Sequence, residues 1–337
     1  MLSLSTLDER ESCNELGQQL IQSACWHGRA PALRLLASRF GCSLRCKWSH
    51  VAAPVDDSST MPFSAAPLAA LAAARNQSHC LRVLAELSPA GALCHSRDDK
   101  DRFAAHYAAA GDASDALRAL SELGAGVTLS AVDTAGRTPA HVAAEMGRTA
   151  ALEVLHELGA DMSVQDRKGC TALHCAAMLG QVEAAVLLAR LLPKQAVDAY
   201  DHDGLRAIHV AARDNRPAVI TALVGAGADL AVQDRDGRSP AHWAAAQGHD
   251  EALRQLAAAG APLALPDHAG YSPAYIAAGG QHKGCLAVLA KSAPRHLGSS
   301  AGFAASAVRP KAYTPEERPS FDPAIYARNL SRVKTRP

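Results

Sequence analysis

The chain has 337 residues, of which 48% are hydrophobic, 20% charged and only 4% aromatic, with a formal net charge of +1. That balance suits a folded protein and gives no global electrostatic case for nucleic acid or an anionic membrane. Much of the apolar share is alanine, which favours closely packed helices over strands.

The N-terminal stretch MLSLSTLDERESCNEL is polar and acidic, without a signal-peptide core or a basic transit pattern. The nine cysteines are scattered, and no apolar run approaches the roughly 20 residues of a membrane span. These features predict reduced thiols and a cytoplasmic or nuclear location.

The first helical unit, LIQSACWHGRAPALRLLASRF from Leu20, reads as a polar N-terminal cap. A polar, Pro-bearing insertion follows from about Gly41 to Phe63, so residues 1–60 are assigned to a capping repeat plus inserted loop. PLAALAAARNQSHCLRVLAEL, from Pro67, keeps a paired-helix pattern with Asn76 placed as a left-handed residue between helices. DDKDRFAAHYAAAGDASDALRALSELGAG, from Asp98, keeps His106, Leu117, Leu120 and Gly124 but has Asp101 where a turn glycine belongs and Phe103 where a cap belongs.

Five clearer copies follow, beginning at Asp133, Asp166, Asp201, Asp234 and Asp267. Their equivalent residues His141, His174, His209, His242 and Tyr275 are spaced by 33, 35, 33 and 33. In the first copy, Asp133 and Gly136 frame a tight turn. Thr138 is expected to cap the first helix through its hydroxyl, with Pro139 at the first helical position. Ala143 and Ala144 keep that helix thin and Gly147 ends it. Leu152, Leu155 and Leu158 form the apolar stripe of the second helix.

The period of about 33 and the TPLHxA-like run resemble the ankyrin-repeat family. The resemblance covers about eight tandem repeats, residues ~15–295, with residues 61–296 as the main array. It implies an all-α ankyrin-repeat solenoid of helix-turn-helix units with short β-hairpin turns. It also implies a protein-binding scaffold or adaptor that needs no cofactor, carries out no catalysis and is monomeric alone. The alternative is a non-catalytic targeting or regulatory subunit of an enzyme complex, attached through its C-terminal tail.

In that family, partners contact the hairpin tips and the exposed side of each first helix. Carried over repeat by repeat, the contact candidates are Gln165, Arg167, Lys168, Met178, Leu179, His202, Arg213, Gln233, Arg235, Asp236, Arg238, His268 and Tyr271. Glu145, Met146, Asp203, Asp214 and Gln247 occupy neighbouring positions. Met178 and Leu179 could anchor an apolar side chain or simply be half-covered surface residues. The slight basic bias suits an acidic peptide, and no continuous basic stripe marks a nucleic-acid footprint.

Other chemistry fares worse. The repeat histidines recur one per repeat and do not converge on one ion. Cys42, Cys46 and His50, near Trp48 and with His27 as a further ligand, would suit zinc. They lack a C-x2-C pair and a following Cys/His pair, and incidental loop cysteines are the simpler reading. Cys170 and Cys175 sit at ordinary repeat positions, so Cys175 beside His174 reads as core rather than nucleophile.

After about Pro294 the periodicity stops, and residues 297–337 form a Pro/Ser-rich basic tail. From Phe303 onward its net charge is +4. Asp322 and Pro323 form a helix start, and Tyr326, Leu330 and Val333 fall at i, i+4 and i+7, which predicts a short helix near 322–333. Docking on a partner, folding over the last repeat and a disordered tail all remain open for it.

Overall fold

The computed structural model describes residues 17, 19–40, 68–87, 97–124 and 129–292. The chain divides into two compact units, Met1–Arg167 and Lys168–Pro337. The inserted loop, the Cys42, Cys46 and His50 group and the basic tail with its predicted helix lie outside the described residues.

In the first unit, helical residues 19–26 precede α1 (Ala30–Phe40), α2 (Leu68–Ala74) and α3 (Ser78–Leu87). α4 (Ala104–Ala110), α5 (Ser114–Glu122), α6 (Pro139–Glu145) and α7 (Thr149–Glu157) follow. The short helices α2, α4 and α6 pack in sequence, the longer α3, α5 and α7 form a second row, and α1 packs on α3.

The second unit repeats the plan. Its helices are α8 (Ala172–Leu179), α9 (Val182–Leu191), α10 (Lys194–Val197), α11 (Ala207–Arg213) and α12 (Pro217–Gly225). α13 (Pro240–Gln247), α14 (Asp250–Ala258), α15 (Pro273–Gly279) and α16 (Lys283–Ser292) complete it. First helices α8, α11, α13 and α15 form one row, and α9, α12, α14 and α16 form the other.

Side-chain size dictates this layering. Ala143, Ala144, Ala176, Ala177, Ala211, Ala212, Ala244 and Ala245 are completely buried. A helix with only methyl groups on its inner face lets neighbours approach at the short end of the usual 8–10 Å range. Leu117, Leu152, Leu188, Ile220, Leu253 and Leu256 fill the space between the rows and are also buried. Each contributes roughly 2 kcal/mol by leaving water.

Each helix pair turns through a left-handed residue: Gly28, Asn76, Asp112, Gly147, Gly180, Asn215, Gly248 or Gln281. Asn76 was placed there from register alone. Its side chain does a second job, because Oδ1 accepts the Ala116 N–H at 2.9 Å and so caps α5 of the next repeat. Asp112 repeats the device on Ala151 of α7 at 2.8 Å.

The hairpin turns differ from expectation. Among the described residues only two isolated antiparallel bridges occur, Arg97 with Phe103 and Tyr200 with Arg206. The tips close instead around an aspartate. Asp133 Oδ1 accepts the N–H groups of Ala135 and Arg137, and Asp201, Asp234 and Asp267 repeat the pattern. The carboxylate supplements a backbone bond at each tip, from the aspartate N–H to the carbonyl four residues on, as from Asp133 to Arg137 O at 3.0 Å.

The cap holds one partner more than expected. Thr138 Oγ1 hydrogen-bonds to His141 Nδ1 at 2.9 Å, and the Thr138 N–H donates to the same nitrogen at 3.1 Å. Ring and hydroxyl together form a capping box at the helix start. In the last described repeat Tyr275 replaces histidine, and there Ser272 Oγ accepts the Tyr275 N–H as an ordinary cap.

α10 was not anticipated. Its signal was the 35-residue spacing between His174 and His209, which leaves room for one helical turn after Pro193. Val197 plugs it into the core.

Candidate functional site

The repeated geometry of the tips sets what the surface can present. In the second unit the His202 N–H donates to Lys168 O at 3.0 Å, and the His268 N–H donates to Asp236 O at 2.9 Å. Successive tips are therefore locked backbone to backbone, with the side chains after each tip aspartate in register. A Cβ on Gly237, at φ +77°, would lie 2.6 Å from the His268 nitrogen, so the tip requires glycine twice over.

Beneath the tips runs a line of buried histidines. Backbone N–H groups of Thr171, Arg206 and Ser239 donate to Nδ1 of His174, His209 and His242. That fixes the proton on Nε2, which donates to the carbonyls of Leu205, Arg238 and Tyr271 in the next repeat at 3.0, 3.1 and 3.0 Å. His106 makes the same bond to Arg137 O in the first unit at 2.9 Å. Burial lowers the pKa of His209 to about 3 and that of His242 to about 4, and it lowers that of His106 too. These rings are joints, as their one-per-repeat spacing implied.

Four of the tip aspartates fall into two electrostatic classes. Burial works to raise Asp98 and Asp133, but hydrogen bonds and guanidinium charge from Arg102 and Arg137, with the Tyr107 hydroxyl helping at Asp98, hold both below the usual carboxylate value. Asp201 has Leu205 in place of the arginine, and burial raises it. Asp234 is also raised by burial, although the Trp243 indole donates to it at 2.9 Å, and Arg238 places its NH2 group 2.6 Å from Asp236.

The candidate contact residues do not all reach one face. In the first unit Gln165 and Arg167 are exposed. In the second, Lys168, His202, Gln233, Arg235, Asp236 and His268 are exposed at the tips. Met178 and Leu179 end α8 at 40% and 41% exposure, adjacent in sequence. Tyr271 is half-buried and stacks on Tyr275 with ring centroids 4.8 Å apart.

Two arginines are drawn out of the contact set. Arg213 is 9% exposed, and its guanidinium is folded onto Asp214 at 2.9 Å. Arg238 is partly covered and lies over the Trp243 ring at 5.5 Å while paired with Asp236. Gln233 bridges its own turn to the next repeat, with Nε2 donating to Gly237 O at 2.6 Å and Pro266 O at 3.1 Å.

Tyr200 was missed. It is 62% exposed and immediately precedes its tip aspartate, as Gln165 and Gln233 do. That shared position was the available signal.

Three of the described thiols are held protonated by burial. Burial pushes Cys25 up to about 12 and Cys285 up to about 11, and it raises Cys80. Cys175 is buried and Cys170 is partly exposed. Among the described residues no group of three or more His, Cys, Asp and Glu side chains could hold a metal ion. No described helix is long and apolar enough to cross a membrane.

Comparison with known families agrees with this geometry. The family model described as Ankyrin repeats matches in three overlapping copies, over residues 69–166, 152–234 and 208–297.

Proposed function

This chain belongs to the ankyrin-repeat family, whose members are generally protein–protein interaction modules, and on that premise we propose that it is a non-catalytic adaptor. Its partner is held against the second unit by the end of α8 and by the tips of that unit. The observation that carries this reading is the pair Met178 and Leu179. At the ends of the next first helices stand an internally paired Arg213–Asp214 and the polar Gln247. Two adjacent exposed apolar side chains form a ready anchor for an apolar residue of a partner.

At the tips of the same unit, Lys168 and Arg235 supply positive charge, His202 and His268 supply imidazoles and Tyr200 supplies an aromatic face. This composition favours a segment with an apolar residue flanked by carboxylates. The test uses the full chain as bait, comparing M178E/L179E with V186E, which alters an exposed valine on α9. The expected result is loss of the main bound protein with the first variant and retention with the second. Retention with both removes the α8 face from the proposal.

A further inference from the structure

The last described repeat is open where every preceding repeat of the second unit is closed. Ala212 and Ala245 are completely buried, yet the equivalent Ala278 is exposed. Ile220 and Leu253 are also completely buried, yet the equivalent Leu286 is only half-buried. His209 and His242 are fully covered, and Tyr275 at their position is half-exposed. In the earlier repeats the cover comes from the next repeat, first helix on first helix and second on second.

The chain continues past Ser292, and its sequence keeps the register. SSAGFAASAV, residues 299–308, lies 32 positions after DHAGYSPAYI, residues 267–276. Ala301, Gly302 and Phe303 match Ala269, Gly270 and Tyr271, and Val308 matches Ile276. Residues 293–298 would be the link, as residues 259–266 are in the preceding repeat. Arg309 and Pro310 fall where the paired alanines Ala277 and Ala278 stand, and proline there stops a first helix early.

We propose that residues 299–308, whose sequence keeps the register of a further repeat, dock on the open end of the second unit over Tyr275 and Ala278. Phe303 and Val308 are the apolar side chains that the segment offers. The segment carries no charged residue, which suits an apolar end face.

Hydrogen exchange on the full-length protein tests this, comparing F303D/V308D with L330D and with the unaltered chain. The expected outcome is exchange of the α15 amides about ten-fold faster in F303D/V308D only, with α4 and α6 unchanged as an internal reference. If L330D alone exposes α15, the distal tail is the cover and the proposal fails. If neither variant changes α15, residues 299–308 do not cover this end. If exchange slows with protein concentration in both variants and the unaltered chain, a second copy covers it, and the proposal fails again.

Discussion

Gln281 holds the left-handed turn of the last described helix pair at φ 56°, where four other pairs use glycine. A side chain with a Cβ is strained there by roughly 1–2 kcal/mol, and glutamine lacks the short polar group that lets Asn76 and Asp112 repay the strain with a cap. Gln281→Gly therefore stabilises the protein by about 1 kcal/mol, once glycine's own entropy cost is set against the strain. The measurement is a urea unfolding midpoint at unchanged slope, and a midpoint that falls would contradict it. Not every residue was legible in this way. Asn76 could be placed from register because it follows a helix at a fixed interval. Arg213 could not be placed, since its burial depends on the adjacent Asp214 carboxylate folding over it, which no repeat pattern encodes.

Helix pairs differ in how many local devices secure them. The Asp98 repeat departs from the family run, yet Arg102 pairs with Asp98 at 2.8 Å and lies over the Tyr107 ring at 4.8 Å. The Tyr107 hydroxyl donates to the same carboxylate at 2.7 Å. The Asp201 repeat has no such network: Leu205 and Arg206 replace the polar cap pair, and Asn215 sits at φ 53°. Both repeats look degenerate in sequence, but only the second lacks compensation. Amides of α11 and α12 should exchange about ten-fold faster than those of α13 and α14, an opening difference near 1.4 kcal/mol. Equal rates across the four helices would remove the distinction. The helix pairs were readable because their period recurs, whereas α10 was not, because a single turn has no period to detect.

Across the whole protein the buried histidines sum into a response to acid, since repeat stabilities are close to additive. Unfolded imidazoles gain protons as pH falls through about 6.5, while folded His209 and His242 resist until about 3 and 4. The unfolded chain then binds more protons, so stability is full above pH 6.5 and declines below it. At pH 5 each ring costs about 2 kcal/mol. Asp201 and Asp234, raised by burial, act in the opposite sense and soften the loss only at the acid end. Urea melts at pH 7 and pH 5 check this, and an unchanged midpoint would show that the rings do not resist protonation in the fold.

The same histidine joints carry a consequence for how the sequence can diverge. On the receiving side of the joints made by His106, His174, His209 and His242 the acceptor is a main-chain carbonyl, contributed in turn by Arg137, Leu205, Arg238 and Tyr271. A joint that reads only the backbone is blind to the side chain it touches. Mutation can therefore rewrite those positions, with cation, aliphatic or aromatic groups, while the coupling between neighbouring repeats persists. Selection on what the tips display is thereby separated from selection on what holds them in line.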